Sequence, residues 1–539
     1  MPYSHLLFRD QARQRILAGA TALADAVRVT LGPKSKSVII QQSWGTPLIC
    51  NDGVTIAKRI KMKDPDEDLG AQLLRQAAER TGDVVGDGTT TSTLLAHAMY
   101  AEGLRNVVAG ASAIDLKHGL DRGMEAASAA IREMSRPITS RTEKAQVATV
   151  SAHNDPEIGE LVADAVERVG VEGVVSVEEA KGIETTLDVV EGMQFDRGYL
   201  SPYFVTDAEK MQAVLESPLI LVHEKRIGAI KDIVPLLEQI IQQGRPLLVI
   251  AEEVEGEALA TMVLNKLRGA FLCVAVKAPG FGDRRQELLQ DIALVSGAQL
   301  ISEQLGKTLA GVAIEDLGSA QRVIVDKDTT TIVGGAGKPE EIKARCAELR
   351  RRITETTSDY DKEKLQERLA KLAGGVALIR VGAPSEAELK SRKEGFDDAI
   401  SATQAAVAEG IVPGGGVAYL RAAAAVERLV GESEGDERTG LRIVARALET
   451  PARQIAENSG ADAGVVIDHI RGATGGYGFD AARGTYGDLI EAGIMDPTKV
   501  VRVALQNAVS VAGTLLLAEA TLTDRKDEKE EEAPHKEFA

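Results

Sequence analysis

The sequence predicts a multidomain, α-rich α+β protein in which helical segments from both ends of the chain flank an α/β domain set in the middle. Three observations carry this. At 539 residues the chain is too long for a single core and suggests three or four domains. Apolar residues recur at helical spacing near both ends. Between residues 185 and 333, short apolar runs alternate with helical stretches, the pattern of a partly parallel sheet.

Taken in order, Asp10 is a candidate helix cap. After it Ile16, Leu17, Ala20, Leu23, Ala24 and Val27 fall on one helical stripe. Val38-Ile39-Ile40 reads as a short strand and Asn51-Asp52-Gly53 as a turn. Helical patterns return at residues 73–80 and 92–108. In the middle, residues 246–251 read as a buried strand, 257–268 as a helix and 271–276 as a second strand, which together make a βαβ unit. Residues 339–372 read as a helical hairpin. Leu349 and Ile353 lie on one arm, Leu365, Leu369 and Leu372 on the other, and Ser358-Asp359 between them. After Gly374-Gly375 and a short strand, the chain reads as alanine-rich helix to about residue 521. Residues 524–539 are charge-dense, nearly free of core-forming side chains, and read as a disordered tail.

Composition excludes several classes. Hydrophobic residues at 44% and charged residues at 27% are ordinary for a globular chain. A net charge of −18 argues against broad binding to nucleic acid or anionic lipid, which needs a basic face. Aromatics at 3% leave little for base stacking. No run of about 18 apolar residues occurs, so no membrane span is expected, and with the acidic charge neither nucleic acid nor membrane is an expected partner. Cys50, Cys273 and Cys346 are far apart, with no C-x-x-C, so no disulfide framework or zinc module is expected and a reducing compartment fits. Residues 1–10 lack the charged start and apolar run of a secretory signal, and the expected location is the cytoplasm.

The most informative segment is Val85-Gly-Asp-Gly-Thr-Thr-Thr91, ahead of a stripe of Leu94, Leu95, Ala98 and Met99. Glycines permit close backbone approach. A helix start with free N–H groups and hydroxyls suits phosphate, and Asp87 beside it could hold Mg²⁺. A capped helix after a flexible turn is the alternative. Thr30-Leu-Gly-Pro-Lys34 and Gly414-Gly-Gly416 are loops of the same kind, each equally readable as a linker. Gly334-Gly-Ala-Gly-Lys338 imitates the end of a P-loop, but Pro339 and Ile332 stand where the motif needs Ser or Thr and Gly. The adjacent carboxylates of Phe396-Asp-Asp-Ala399 read locally as charge at a helix start.

These segments occur in order with Val189 to Phe204 (VVEGMQFDRGYLSPYF), Lys277 to Arg285 (KAPGFGDRR), Tyr360 to Arg368 (YDKEKLQER) and Asp496-Pro-Thr-Lys499. Over roughly residues 10–520 the chain thereby resembles the bacterial group I chaperonins of the GroEL type. The resemblance implies an equatorial ATPase and ring-contact domain at 1–136 and 410–523. It also implies an intermediate hinge domain at 137–191 and 376–409, and an apical domain at 192–375 that binds unfolded chains and a lid-forming co-chaperonin. Pro137 with Gly410, and Gly192 with Gly375, match the two hinges. Implied cofactors are ATP, Mg²⁺ and K⁺.

Carried over residue by residue, Thr30, Leu31, Gly32, Pro33, Asn51, Gly415, Asp480, Ala481, Ala482 and Asp496 would contact nucleotide. Gly88, Thr89, Thr90 and Thr91 would hold its phosphates and Asp87 the metal. Asp398 would orient the attacking water, assisted by Asp52. Tyr199, Tyr203, Phe204, Val234, Leu237, Leu259, Val263 and Leu264 would form the client-binding surface, although Ile233, Val234, Leu237, Ile240 and Ile241 also follow the spacing of a core stripe. The assembly would be a homo-oligomer of two stacked seven-membered rings. Departures are Asn51 where lysine is usual, Asp480 for asparagine, Ser35 for glycine, and a charged tail in place of a glycine-methionine one. They keep open a second reading, a specialised paralogue that holds clients with little or no ATPase cycling.

Overall fold

The stripe that follows Asp10 becomes the buried face of helix Arg9–Arg28, with Ala12, Ile16, Ala20, Leu23, Ala24 and Val27 inside. Asp10 lies in the first turn, where its charge faces the helix dipole. The residue that precedes the helix is Phe8, which caps nothing through its side chain. A computed structural model describes residues 3–41, 47–170, 173–180, 182–190, 192–208, 210–229, 231, 233–356 and 358–525. Most of the expected tail, residues 526–539, lies outside them. Its first two residues do not begin a tail, because strand Ala520–Arg525 pairs antiparallel with Tyr3–Phe8 and sets Asp524 opposite Ser4.

The described chain forms two compact units, residues 1–163 with 383–539 and residues 164–382. The first is a helical assembly with small residues at its crossings. Helix Arg9–Arg28 meets helix Pro65–Val85 so closely that a Cβ on Gly19 would lie 1.7 Å from the Glu67 carbonyl, and one on Gly70 would lie 2.0 Å from that of Ile16. Helices Ala113–Met134 and Gly435–Ala447 cross in the same way through Gly119 and Gly440. Helix Thr498–Leu516, buried along most of its length, packs against the Pro65–Val85, Thr89–Val108 and Ala113–Met134 helices. The Asn51-Asp52-Gly53 segment is a helix start, not a free turn, since Asp52 caps helix Gly53–Arg59.

The second unit holds an eight-stranded mixed sheet. Strands Leu219–His223, Leu247–Ala251 and Cys273–Lys277 run parallel side by side, with helix Gly256–Leu267 in the crossover, as the βαβ pattern requires. Their residues are buried on both faces, hence the continuous apolar runs. The hairpin arms are helices Pro339–Glu355 and Asp359–Ala373. A three-stranded sheet sets Val376–Val381 between Val174–Glu179, parallel to it, and Thr186–Val190.

Candidate functional site

Helix Pro65–Val85 ends at Gly86 and helix Thr89–Val108 starts after Gly88, so only Asp87 separates two left-handed glycines. Gly88 has φ of +78°, and a Cβ there would lie 2.7 Å from Val500. Only glycine fits. No side chain caps the start of helix Thr89–Val108, which leaves its first N–H groups for a ligand. The Thr30 hydroxyl donates to the Val27 carbonyl and lies 3.0 Å from that of Thr90, joining the 30–33 loop to this helix start. Asn458 holds the same loop by donating to the Arg28 and Leu31 carbonyls at 2.9 and 2.8 Å.

From the far end of the chain, strand Ile411–Pro413 pairs with Met495–Pro497 and sets Val412 opposite Asp496, beside the triple glycine. There Gly416 has φ of +77°, and a Cβ would lie 2.6 Å from the Ala452 nitrogen. The loop therefore needs glycine for close packing as well as for conformation. Asp480 belongs to the hairpin of Tyr477–Asp480 with Thr485–Asp488.

These pieces enclose one cleft of about 220 Å³ within the first unit. Every residue expected at the nucleotide lines it: Thr30 to Pro33, Asn51, Asp52, Asp87 to Thr91, Asp398, Gly415, Asp480 to Ala482, and Asp496. Local sequence gave no sign of several others on the wall, among them Ser151, His153, Tyr419, Ile455 and Phe479. Their only signal is spatial, because they come from segments far apart in sequence.

The cleft is rich in carboxylates. Burial raises the Asp87 carboxyl above its usual range, against the bonds that it accepts from the Ser151 hydroxyl at 2.8 Å and from the Gly88 N–H. Burial lifts Asp398 well above the usual range, with Asp87 and Asp52 adding repulsion. No described donor reaches the Asp398 carboxylate. Burial, then Asp87, pushes Asp496 up to about 7. Among the described residues no group of three or more His, Cys, Asp or Glu side chains forms a metal site of its own.

The expected client-binding residues lie in the second unit and divide by burial. Tyr203 is 64% exposed, Leu264 45% and Val234 37%. Tyr199, Leu259 and Val263 are half-buried against the core. Phe204 and Leu237 are buried: Phe204 fully, and Leu237 on the inner face of helix Val234–Gln243 with Leu236 and Ile240. Ile241 and Leu267, not among the expected set, are exposed on the same two helices.

The chain belongs to the TCP-1/cpn60 chaperonin family, whose pattern matches residues 23–526. It is 62% identical over 539 residues, the full length of both chains, to Chaperonin GroEL 5 of Bradyrhizobium diazoefficiens, and is of the GroEL type. No described helix is long and apolar enough to cross a membrane.

Proposed function

We propose that this chain is an ATP-dependent molecular chaperone that binds non-native polypeptides and encloses them for folding. The observation that carries the reading is the cleft. Segments from residues 30 to 496 converge on one cavity, with uncapped helix N–H groups at one end and buried carboxylates around it. Phosphoryl transfer asks mainly for positioning and charge neutralisation, and this arrangement supplies both. Thr30 to Pro33, Gly415 and the 480–482 turn would hold the nucleoside side, and Gly88 to Thr91 the phosphates.

Asp87 would hold Mg²⁺, which when bound offsets phosphate charge. Thr30 and Asn51 add neutral oxygen donors to the wall, which suits K⁺. Asp398, with no donor of its own and a raised affinity for protons, would orient water and accept its proton. Asp52, whose two oxygens cap a helix, would act through the field that it places on Asp398.

The exposed apolar residues Tyr203, Val234 and Leu264 support a client-binding surface in the second unit. The three-domain division with hinges at Pro137 and Gly410 and at Gly192 and Gly375, the lid-forming partner, the stacked seven-membered rings and the cytoplasmic location complete the proposal. Gly410 and Gly375, at φ +84° and +62°, have the freedom that hinges use. The test is ATP turnover and refolding of a denatured client, with and without co-chaperonin, for wild type and Asp398→Ala. The variant should bind ATP but hydrolyse it about 100-fold more slowly. Wild-type turnover in the variant would overturn the role of Asp398. Wild type without turnover would favour the holding scaffold.

A further inference from the structure

The charge inventory of the cleft is one-sided. Among the described residues lining it, five are aspartates (Asp52, Asp87, Asp398, Asp480 and Asp496), none is lysine or arginine, and His153 is the one imidazole. A triphosphate would add more negative charge to a wall that already holds raised carboxyls. One magnesium ion and the helix N–H groups offset only part of that. Beyond hydroxyls and side-chain amides, the lining has no lysine or arginine to donate to the terminal phosphate.

His153 stands where such a donor is needed. It follows helix Arg141–Ser151, and the Ser151 hydroxyl ties that helix end to Asp87, so the segment sits at the phosphate-loop end of the cleft. Burial lowers the affinity of the imidazole for protons, and the Asp87 and Asp52 carboxylates pull the other way, so the ring lies within the field of these two groups. No described residue hydrogen-bonds the ring, and the residue is accessible from the cleft.

The backbone holds it there at a cost. His153 and Asn154 are consecutive left-handed residues at φ +53° and +67°, each unfavourable for a non-glycine residue by roughly 1 kcal/mol or more. The turn is closed by Asn154 N–H to Thr149 at 2.8 Å and Asp155 N–H to Ala152 at 3.0 Å. These backbone bonds do not involve the imidazole, so the turn leaves the ring free for another partner.

We infer that His153 donates a ring N–H to the terminal phosphate of a bound nucleoside triphosphate, in the place that a lysine or arginine would otherwise fill. Neutral or protonated, an imidazole carries at least one N–H, so the contact does not require a change of charge. It rests on the nucleotide reading of the cleft and makes His153 a discriminator: a diphosphate ends one phosphate short of it.

The test is calorimetric binding of Mg²⁺ with a slowly hydrolysed ATP analogue, and separately with ADP, to full-length wild type, His153→Ala and His153→Lys. The alanine variant should bind the triphosphate about 10-fold more weakly, the worth of one hydrogen bond to a charged group, and bind ADP within about twofold of wild type. Lysine should restore triphosphate binding. Equal losses for both nucleotides in both variants would overturn the contact and leave only a role in the turn, and so would no loss for either. Wild type that binds neither nucleotide would overturn the nucleotide reading itself, and this contact with it.

Discussion

Two of the cleft's aspartates are each held by two backbone N–H groups. Asp52 accepts from the Val54 and Thr55 N–H groups at 3.2 and 2.8 Å, and Asp480 from those of Ala482 and Arg483 at 2.9 and 3.2 Å. The second case explains why an aspartate stands where the resemblance leads one to expect asparagine: the turn needs one acceptor oxygen, and either residue has it. None of these partnerships is readable from spacing. Asp398 was legible only through the resemblance: the adjacent carboxylates read locally as charge at a helix start, whereas they lie in the interior of helix Glu386–Glu409, away from the end where the dipole acts. A buried residue away from the cleft gives a pH test. Burial, then Arg28, pushes His97 down to about 4 from 6.5, and Thr21 lies 3.0 Å from its Nε2. Between those values the unfolded chain binds a proton that the folded one refuses. Stability is therefore full above about pH 6.5 and falls as pH drops through the window, by about 3 kcal/mol at most. Urea midpoints at pH 7.5 and pH 5 should differ less for His97→Gln than for wild type. An unchanged difference would show that His97 does not carry the effect.

At the scale of elements, the helical hairpin of the second unit is fastened by charge as well as by its leucines. Asp291, 1% exposed on helix Gly282–Ser296, lies 3.0 Å from Arg345 of one arm and 2.7 Å from Arg368 of the other. Glu287, one turn earlier on the same helix, pairs with Arg352 and Arg368. Burial raises the Asp291 carboxyl even beside two guanidinium groups, so the clamp works only while all its members are present. Asp291→Ala should cost about 3–5 kcal/mol by leaving buried cations unpaired. A urea-unfolding loss below about 1 kcal/mol would contradict the clamp. The hairpin itself was legible, since a leucine stripe on each arm and Ser358-Asp359 between them mark two helices and a break. The βαβ unit was legible for the same reason, being local and periodic. The ribbon of Tyr3–Phe8 with Ala520–Arg525 was not: its partners lie at opposite ends of the chain, and the dense charge after Thr523 reads as a tail. Nor were the glycine crossings, where Gly19 and Gly70 look like ordinary helix impurities until the neighbouring backbone is seen within a Cβ's reach.

For the whole molecule, the insertion of one unit within the other is a statement about independence. The core cluster of the second unit, from Met193 to Leu372, draws only on residues of that unit. Its entry and exit are also neighbours, because strands Val174–Glu179 and Val376–Val381 pair in parallel from Val174 opposite Val376 to Glu179 opposite Val381. A segment whose ends meet in one sheet and whose core is its own can be excised at the cost of one divided element, helix Pro156–Val169. The first unit is different: its core needs both ends of the chain, since helix Thr498–Leu516 packs among helices that precede residue 135. The excised fragment 164–382 should therefore fold alone, with one cooperative urea transition and a dispersed amide spectrum. Residues 1–163 and 383–539 should fold only together, joined in one chain or co-expressed as a pair. The intact protein should then unfold with non-coincident transitions when probes in the two units are followed separately, a departure from two-state behaviour. A fragment 164–382 that is collapsed but undispersed, or an intact chain whose two units melt as one at every probe, would mean that the second unit depends on the first for its structure.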